Sequence, residues 1–342
     1  MKKLVLLLAA ATMVVSLSAQ PSSSGYHVAK KLPISGEARW DYITVNPISR
    51  RLYVTHGTKV DVLNADTGES VGEVSNTPGV HGVALAPDLG KGFTSNGKAD
   101  TVSVFDLETL KHTAEIKVGK KPDAIVYDAA LRRVFVSDGD SDELTAIDAE
   151  TGKVLANIPL GGAPEYIAVD GKGSLWVNIE DKGAFVSVDA KALTVKKTTP
   201  LPGCTDPGAM AFNPATRRLF IGCAGNRTLV IVDADQGNIV AKLPIGDHVD
   251  ATAFDPDSSL IFASTGDGHV TIVHEDSPDK YTVVDTVATM RGAKTMALDS
   301  KTKRIFLPTA EGVPSTMTGG PGPAGGPRFY VPGAFVVLVV EK

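Results

Sequence analysis

Cysteine is nearly absent from this chain, with two residues, Cys204 and Cys223, among 342. No Cys-x-x-Cys occurs, which excludes a thioredoxin-type redox site and covalent c-type haem attachment. A basic excess is also missing: Lys+Arg is 34 against Asp+Glu 39, a formal net charge of -5. That balance argues against a nucleic-acid partner, whose footprint is a basic face. Beyond the N-terminus no apolar run is long enough to span a bilayer. The apolar stretch Ala334–Val340 is short enough for a strand. Sustained helical periodicity is lacking as well. What is plentiful is turn-forming residue, Gly 34 and Pro 21. With 43% hydrophobic and 21% charged residues, this composition fits a loop-rich all-β protein and not a disordered chain.

The N-terminus carries Lys2 and Lys3, an apolar run from Leu4 to Val15, and then Ser16, Ser18 and Ala19. A charged start, a short apolar core and small residues predict a signal peptide over residues 1–19. The expected mature chain is then a monomeric domain over 20–342, periplasmic or secreted, without a transmembrane anchor. Export and an even cysteine count predict one disulfide, Cys204–Cys223.

One β-type run recurs seven times. Its copies are Tyr42-Ile-Thr-Val-Asn, Gly82-Val-Ala-Leu-Ala, Ala124-Ile-Val-Tyr-Asp, Tyr166-Ile-Ala-Val-Asp, Ala209-Met-Ala-Phe-Asn, Ala251-Thr-Ala-Phe-Asp and Thr295-Met-Ala-Leu-Asp. The period is near 42 residues. A second run follows each of them, as in Arg51-Leu-Tyr-Val-Thr and Arg133-Val-Phe-Val-Ser, with third and fourth runs behind it. Four short strands per unit of about 40–45 residues are one propeller blade. The sequence therefore predicts an all-β, seven-bladed propeller of four-stranded antiparallel blades. The last unit ends after its third strand, and His27-Val-Ala-Lys-Lys-Leu-Pro resembles the fourth strand of an earlier unit. The N-terminal strand is expected to complete the last blade and leave no raw edge at the seam.

On Tyr53-Val-Thr-His, its echoes, and turns of the Asp148-Ala-Glu-Thr-Gly type, the chain resembles the YVTN-repeat, YncE-like family of exported seven-bladed propellers. The resemblance covers nearly the whole mature chain. It implies a fold and leaves activity open, since similar propellers include lactonases, redox-enzyme subunits and non-enzymatic binding proteins.

In such propellers the loops entering the first strands and those following the second strands share one face, the top. The repeat puts Asp41, His81, Asp123, Glu165, Gly208, Asp250 and Lys294 at the starts of the first strands. These positions should ring the mouth of the central channel. At the ends of the second strands the reading places His56, Asn96, Asp138, Asn178, Cys223, Thr265 and Thr309, which brings His56, His81 and Asn96 near one another. Carboxylate, imidazole and amide groups suit a divalent cation or a polyhydroxy ligand. A water-filled channel of mutually hydrogen-bonded groups is the plainer alternative. No cofactor is assigned.

Residues 309–333 read as one long Gly/Pro-rich loop on the top face, with Arg328 and Tyr330 as lid or partner contacts. Three functions remain open. The first is a binding or scaffold protein whose small-molecule or protein partner sits on the top face. The second is a lactonase-like or other hydrolase. It would use Asp41, Asp123, Glu165 and Asp250 as acid–base or cation groups, and His81 and His56 as ligands or bases. The third is a partner subunit of a periplasmic redox system. Two motif matches fail: Gly320-Pro-Gly322-Pro-Ala-Gly325 has no helix after it, and Asp138-Gly-Asp140-Ser-Asp142 lacks the glycine and the final acid of an EF-hand loop.

Overall fold

The structure is a computed structural model and describes residues 24–313 and 330–342. The predicted signal segment 1–19 and the lid residue Arg328 lie outside the described residues. Seven four-stranded antiparallel sheets form the ring, each running from an inner to an outer strand. Blades 1 to 6 follow chain order over 43–75, 80–117, 122–159, 164–200, 207–244 and 249–288. Blade 7 takes its inner three strands from Ala297–Leu298, Ile305–Gly312 and Tyr330–Glu341. Its outer strand is β1, His27–Pro33, which pairs antiparallel from His27 opposite Glu341 to Pro33 opposite Val336. The ring closes where the sequence predicted. Among the described residues no helix is long and apolar enough to cross a membrane.

The register repeats because the packing repeats. One register position of the second strands forms a ring: Tyr53, Phe93, Phe135, Trp176, Phe220, Phe262 and Phe306, all at most 2% exposed. Burying one such side chain contributes about 1.5–3 kcal/mol. The large inner-strand residues pack onto these rings across the blade boundary. Phe212 lies on Trp176 at 4.8 Å and Phe254 on Phe220 at 5.3 Å. Small residues at the alternate inner positions leave room for this interleaving.

Charged latches tie blades together at the opposite, bottom end. Arg50 reaches Asp299 at 2.6 Å, Arg217 reaches Asp170 at 3.1 Å, and Lys303 reaches Asp255 at 2.7 Å. In each case a cation of one blade meets the carboxylate ending the previous blade's inner strand. Between blades 3 and 4 the corresponding position is Gly173, and Asp128 Oδ2 is left buried without a hydrogen-bond partner.

Cys204 and Cys223 form a disulfide with Cα atoms 5.3 Å apart. It ties the loop entering blade 5 to the end of that blade's second strand, and both residues are buried. Closing a loop of this length contributes about 3 kcal/mol in the chain-entropy model. A Cys204→Ala/Cys223→Ala variant is expected to lose about that much in urea unfolding. An unchanged midpoint would refute a stabilising role.

The proposed 309–333 loop is shorter than its sequence suggested. Residues 309–312 extend the second strand, and Tyr330 already pairs with Gly312. The turn-rich composition hid the strand ends, because Thr309 and Ala310 still bury their side chains and so continue the ladder. Tyr330 packs edge-on against Trp40 at 4.9 Å.

Candidate functional site at the channel mouth

The inner strands start at one end of the channel, so their first residues converge there. Hydroxyls of neighbouring segments pin the backbone of these residues. Ser137 Oγ donates to the Glu165 carbonyl at 2.7 Å, and Thr295 Oγ1 donates to the Asp41 carbonyl at 2.7 Å. Ser95 and Ser264 serve the Asp123 and Lys294 carbonyls in the same way.

The side chains form two clusters. In the first, His81 Nδ1 lies 2.5 Å from Asp41 Oδ2 and 3.5 Å from Asp123 Oδ1. In the second, Lys294 Nζ lies 2.7 Å from Asp250 Oδ2. Between them Tyr42 Oη donates to Glu165 Oε1 at 3.2 Å. Tyr42 meets Tyr166 edge-on at 5.9 Å, so blades 1 and 4 together plug the channel below the acids. The two tyrosines border a cavity of about 100 Å³ whose wall also carries Val83, Ile125, Val126, Ile167 and Met296 and exposes polar and apolar surface in similar shares.

Crowded, poorly solvated carboxylates resist ionisation. Burial, then the charge of Asp41, pushes Asp123 up to about 7, with His81 opposing. Burial, then Asp123 and Asp250, holds Glu165 well above the usual carboxylate range. Burial also raises Asp250, against the pull of Lys294. Burial disfavours the charge on Lys294, but Asp250 outweighs it and the ammonium is held more firmly than usual. For His81, burial is likewise outweighed by Asp41 and Asp123, and its proton is held more tightly than in water.

Of the predicted ring, Asp41, His81, Asp123, Glu165, Asp250 and Lys294 meet at the mouth, and Gly208 leaves a gap on blade 5. His56, His81 and Asn96 share no hydrogen bond, although Asn96 is paired with Val80 beside His81. His56 Nδ1 lies 2.6 Å from Asp61 and its Nε2 lies 2.5 Å from the Glu37 carbonyl. There it secures the segment joining blade 7 to blade 1, against Gly36, where a Cβ would sit 2.8 Å from the imidazole. Asn96 bonds Thr94, Thr101 and Ser103 inside its own blade. Asp138 is also buried within its blade, where Thr145 Oγ1 donates to Oδ2 at 2.5 Å. The reason is the strand alternation: residues 55, 95 and 137 face the inner-strand starts, and the next residue turns away. Asn178 belongs with the former set, since Ile179 is the residue paired with Pro164 as Asp138 is with Pro122.

Several groups escaped the sequence reading. Glu180 is raised by burial and by Asp206 and Asp250, with Lys121 and Lys294 opposing, which places these charges around the same mouth. The tyrosine plug had a signal. Aligned behind the ring positions stand Tyr42, Gly82, Ala124, Tyr166, Ala209, Ala251 and Thr295, and only two of these are aromatic.

No family model and no curated protein matches the chain. Neither comparison therefore shows the YVTN family. Among solved structures the chain is similar to one titled Kuenenia stuttgartiensis hydrazine synthase, with a TM-score of 0.70 at 20% identity, covering 83% of this chain and 95% of that chain. At that identity the likeness is one of fold, and what the comparisons establish is the β-propeller.

Proposed function

We propose that the protein is a binding module that receives a small ligand at the top of its channel, and that it works in an oxidising, extracytoplasmic compartment. The observation that carries the first part is convergence. Ionisable side chains from six blades converge at one mouth in two clusters, with the Tyr42–Glu165 hydrogen bond between them and the two tyrosines beneath. A floor and charged walls are what a ligand pocket needs. The disulfide supports the second part, because such bonds persist where thiols are not kept reduced.

The test is a melting panel of divalent cations, polyamines, sugars and hydroxy acids. A ligand at 100 times its Kd stabilises by about 2.7 kcal/mol, a shift of several degrees. That shift is expected to vanish in Glu165→Gln and in Lys294→Ala. A shift that survives both variants, or a panel that gives none, would refute the mouth as the site.

A hydrolase is the second reading, favoured by one observation. Asp123, pushed up to about 7 beside His81, has the proton affinity of an acid–base group at neutral pH. Absence of turnover across a lactone and ester panel would discard it.

A further inference from the structure

We propose that Asp41, His81 and Asp123 form an open-sided site for a first-row divalent transition-metal ion. This deepens the reading of the channel mouth as a ligand site, and only its last step, the ligand held through the metal, rests on that reading. The three donor atoms, one from each of three successive blades, lie within 4.8 Å of one another. Their backbones are fixed: Asp41 N donates to Thr55 Oγ1 at 3.0 Å, the Asp41 carbonyl is held by Thr295, and that of Asp123 by Ser95. Three donors held in advance are what a metal site requires and what a mobile surface cluster lacks.

The second observation is an oxygen without a hydrogen bond. Asp123 Oδ1 is sealed from solvent and has no hydrogen-bond partner. His81 Nδ1, 3.5 Å from it, carries at most one hydrogen and directs it to Asp41 at 2.5 Å. The other imidazole nitrogen is turned to Gly97, where a Cβ would sit 2.6 Å away. The ammonium of Lys294 is committed to Asp250, and that of Lys121, the lysine whose charge acts on Asp123, lies 3.8 Å from Asp140. Among the described residues no Lys or Arg forms an ion pair with Asp41 or Asp123. A carboxylate oxygen left this way inside a protein is costly unless a cation meets it.

The donor set selects the ion. One imidazole nitrogen and two carboxylate oxygens suit zinc, manganese or their row neighbours. Calcium takes about six to eight oxygens, more than the site offers. Tetrahedral bonds of about 2.1 Å put donors about 3.4 Å apart, so the His81–Asp41 contact must widen by about 1 Å. Both side chains are roughly a quarter exposed, at 27% and 25%, and have room to turn. The mouth side carries no fourth protein donor among the described residues, which leaves coordination positions for water or for a ligand, the pattern of a working site and not of a structural one.

The test uses the full chain stripped with chelator and titrated with Zn²⁺, Mn²⁺ and Ca²⁺ by calorimetry, with Mn²⁺ also followed by electron paramagnetic resonance. One Zn²⁺ or Mn²⁺ per chain is expected, with Ca²⁺ far weaker. His81→Ala and Asp123→Asn should each weaken binding by more than the 10–100-fold that an outer-shell partner costs, and Asp138→Asn should leave it unchanged. Circular dichroism checks folding, and Asp41→Asn replaces any variant that fails it. No stoichiometric ion in the wild type, uptake that survives loss of His81, or calcium bound as tightly as zinc would each overturn the site. A metal bound with no shift from the polyamines, sugars or hydroxy acids of the melting panel would leave the site standing and remove the reading of the mouth as an organic-ligand site. Ligand shifts undiminished in stripped protein would keep the mouth reading and remove only the ligand held through the metal.

Discussion

Arg50→Ala is expected to lower the unfolding free energy by about 3–5 kcal/mol at pH 7, the range for removing one partner of a buried ion pair. Arg50 sits on blade 1 and its Nη1 reaches Asp299 of blade 7, whose side chain is 0% exposed. The same guanidinium grips Asp66 through Nε at 2.9 Å and Nη2 at 2.7 Å, so it is held in place before it meets Asp299. Removing it strands a buried carboxylate at the junction where the ends of the chain meet. Burial works to raise Asp299, and the Thr302 hydroxyl and Arg50 more than offset it, leaving the carboxyl below its ordinary value. A depressed carboxyl contributes stability above its unfolded pKa, and that stability is lost as the pH falls through the folded value. In the variant Asp299 can take a proton instead, so the penalty should shrink as the pH falls below about 5. Urea midpoints at pH 7 and pH 4.5 measure both effects. Arg132→Ala is the comparison, since Arg132 makes only exposed pairs at 3.5–3.7 Å and should cost less than about 1 kcal/mol. A loss for Arg50→Ala no larger than this, or one independent of pH, would remove the seam latch.

The ring and its closure were legible because their physics is periodic. Seven blades bury the same aromatic position, so substitutions preserve size and register, and counting turns recovers the strands. The starts of the inner strands were legible for the same reason. The groups around them were not. Whether residue 138 or residue 137 faces the channel depends on which way one strand position turns, and a glycine-for-arginine exchange such as Gly173 is silent in a repeat alignment. His56 shows the limit most clearly. Its residue type suggested chemistry, but its surroundings are set by Glu37, which is near in space only because the N-terminal strand crosses to blade 7. The pairing of His81 with Asp123 had no sequence signal beyond both standing at the same blade position.

Asp138→Asn is expected to stabilise the protein at alkaline pH, which is unusual for a substitution at a residue with 0% exposure. Burial pushes the Asp138 carboxyl up to about 7, with the Thr145 hydroxyl pulling the other way and Glu143 adding to the rise. Its Oδ1 has no hydrogen-bond partner. A carboxyl raised in the folded state favours folding below its unfolded pKa, and that contribution is lost as the pH rises through 7. Between pH 4 and pH 8 the wild type should therefore give up to about 4 kcal/mol at this position, by the conversion of about 1.4 kcal/mol per pKa unit. Asparagine does not titrate, and blade 2 shows that the site accepts it. Asn96 occupies the same position and donates to Ser103 at 2.8 Å, and Ser103 corresponds to Thr145. The difference between variant and wild type cancels the other raised carboxyls, Asp123 and Glu165, which are present in both. The expected result is a higher melting temperature for Asp138→Asn at pH 8 and a gap that closes toward pH 4.5. A gap of constant size, or a variant less stable at pH 8, would mean that Asp138 is not the protonated group its burial implies.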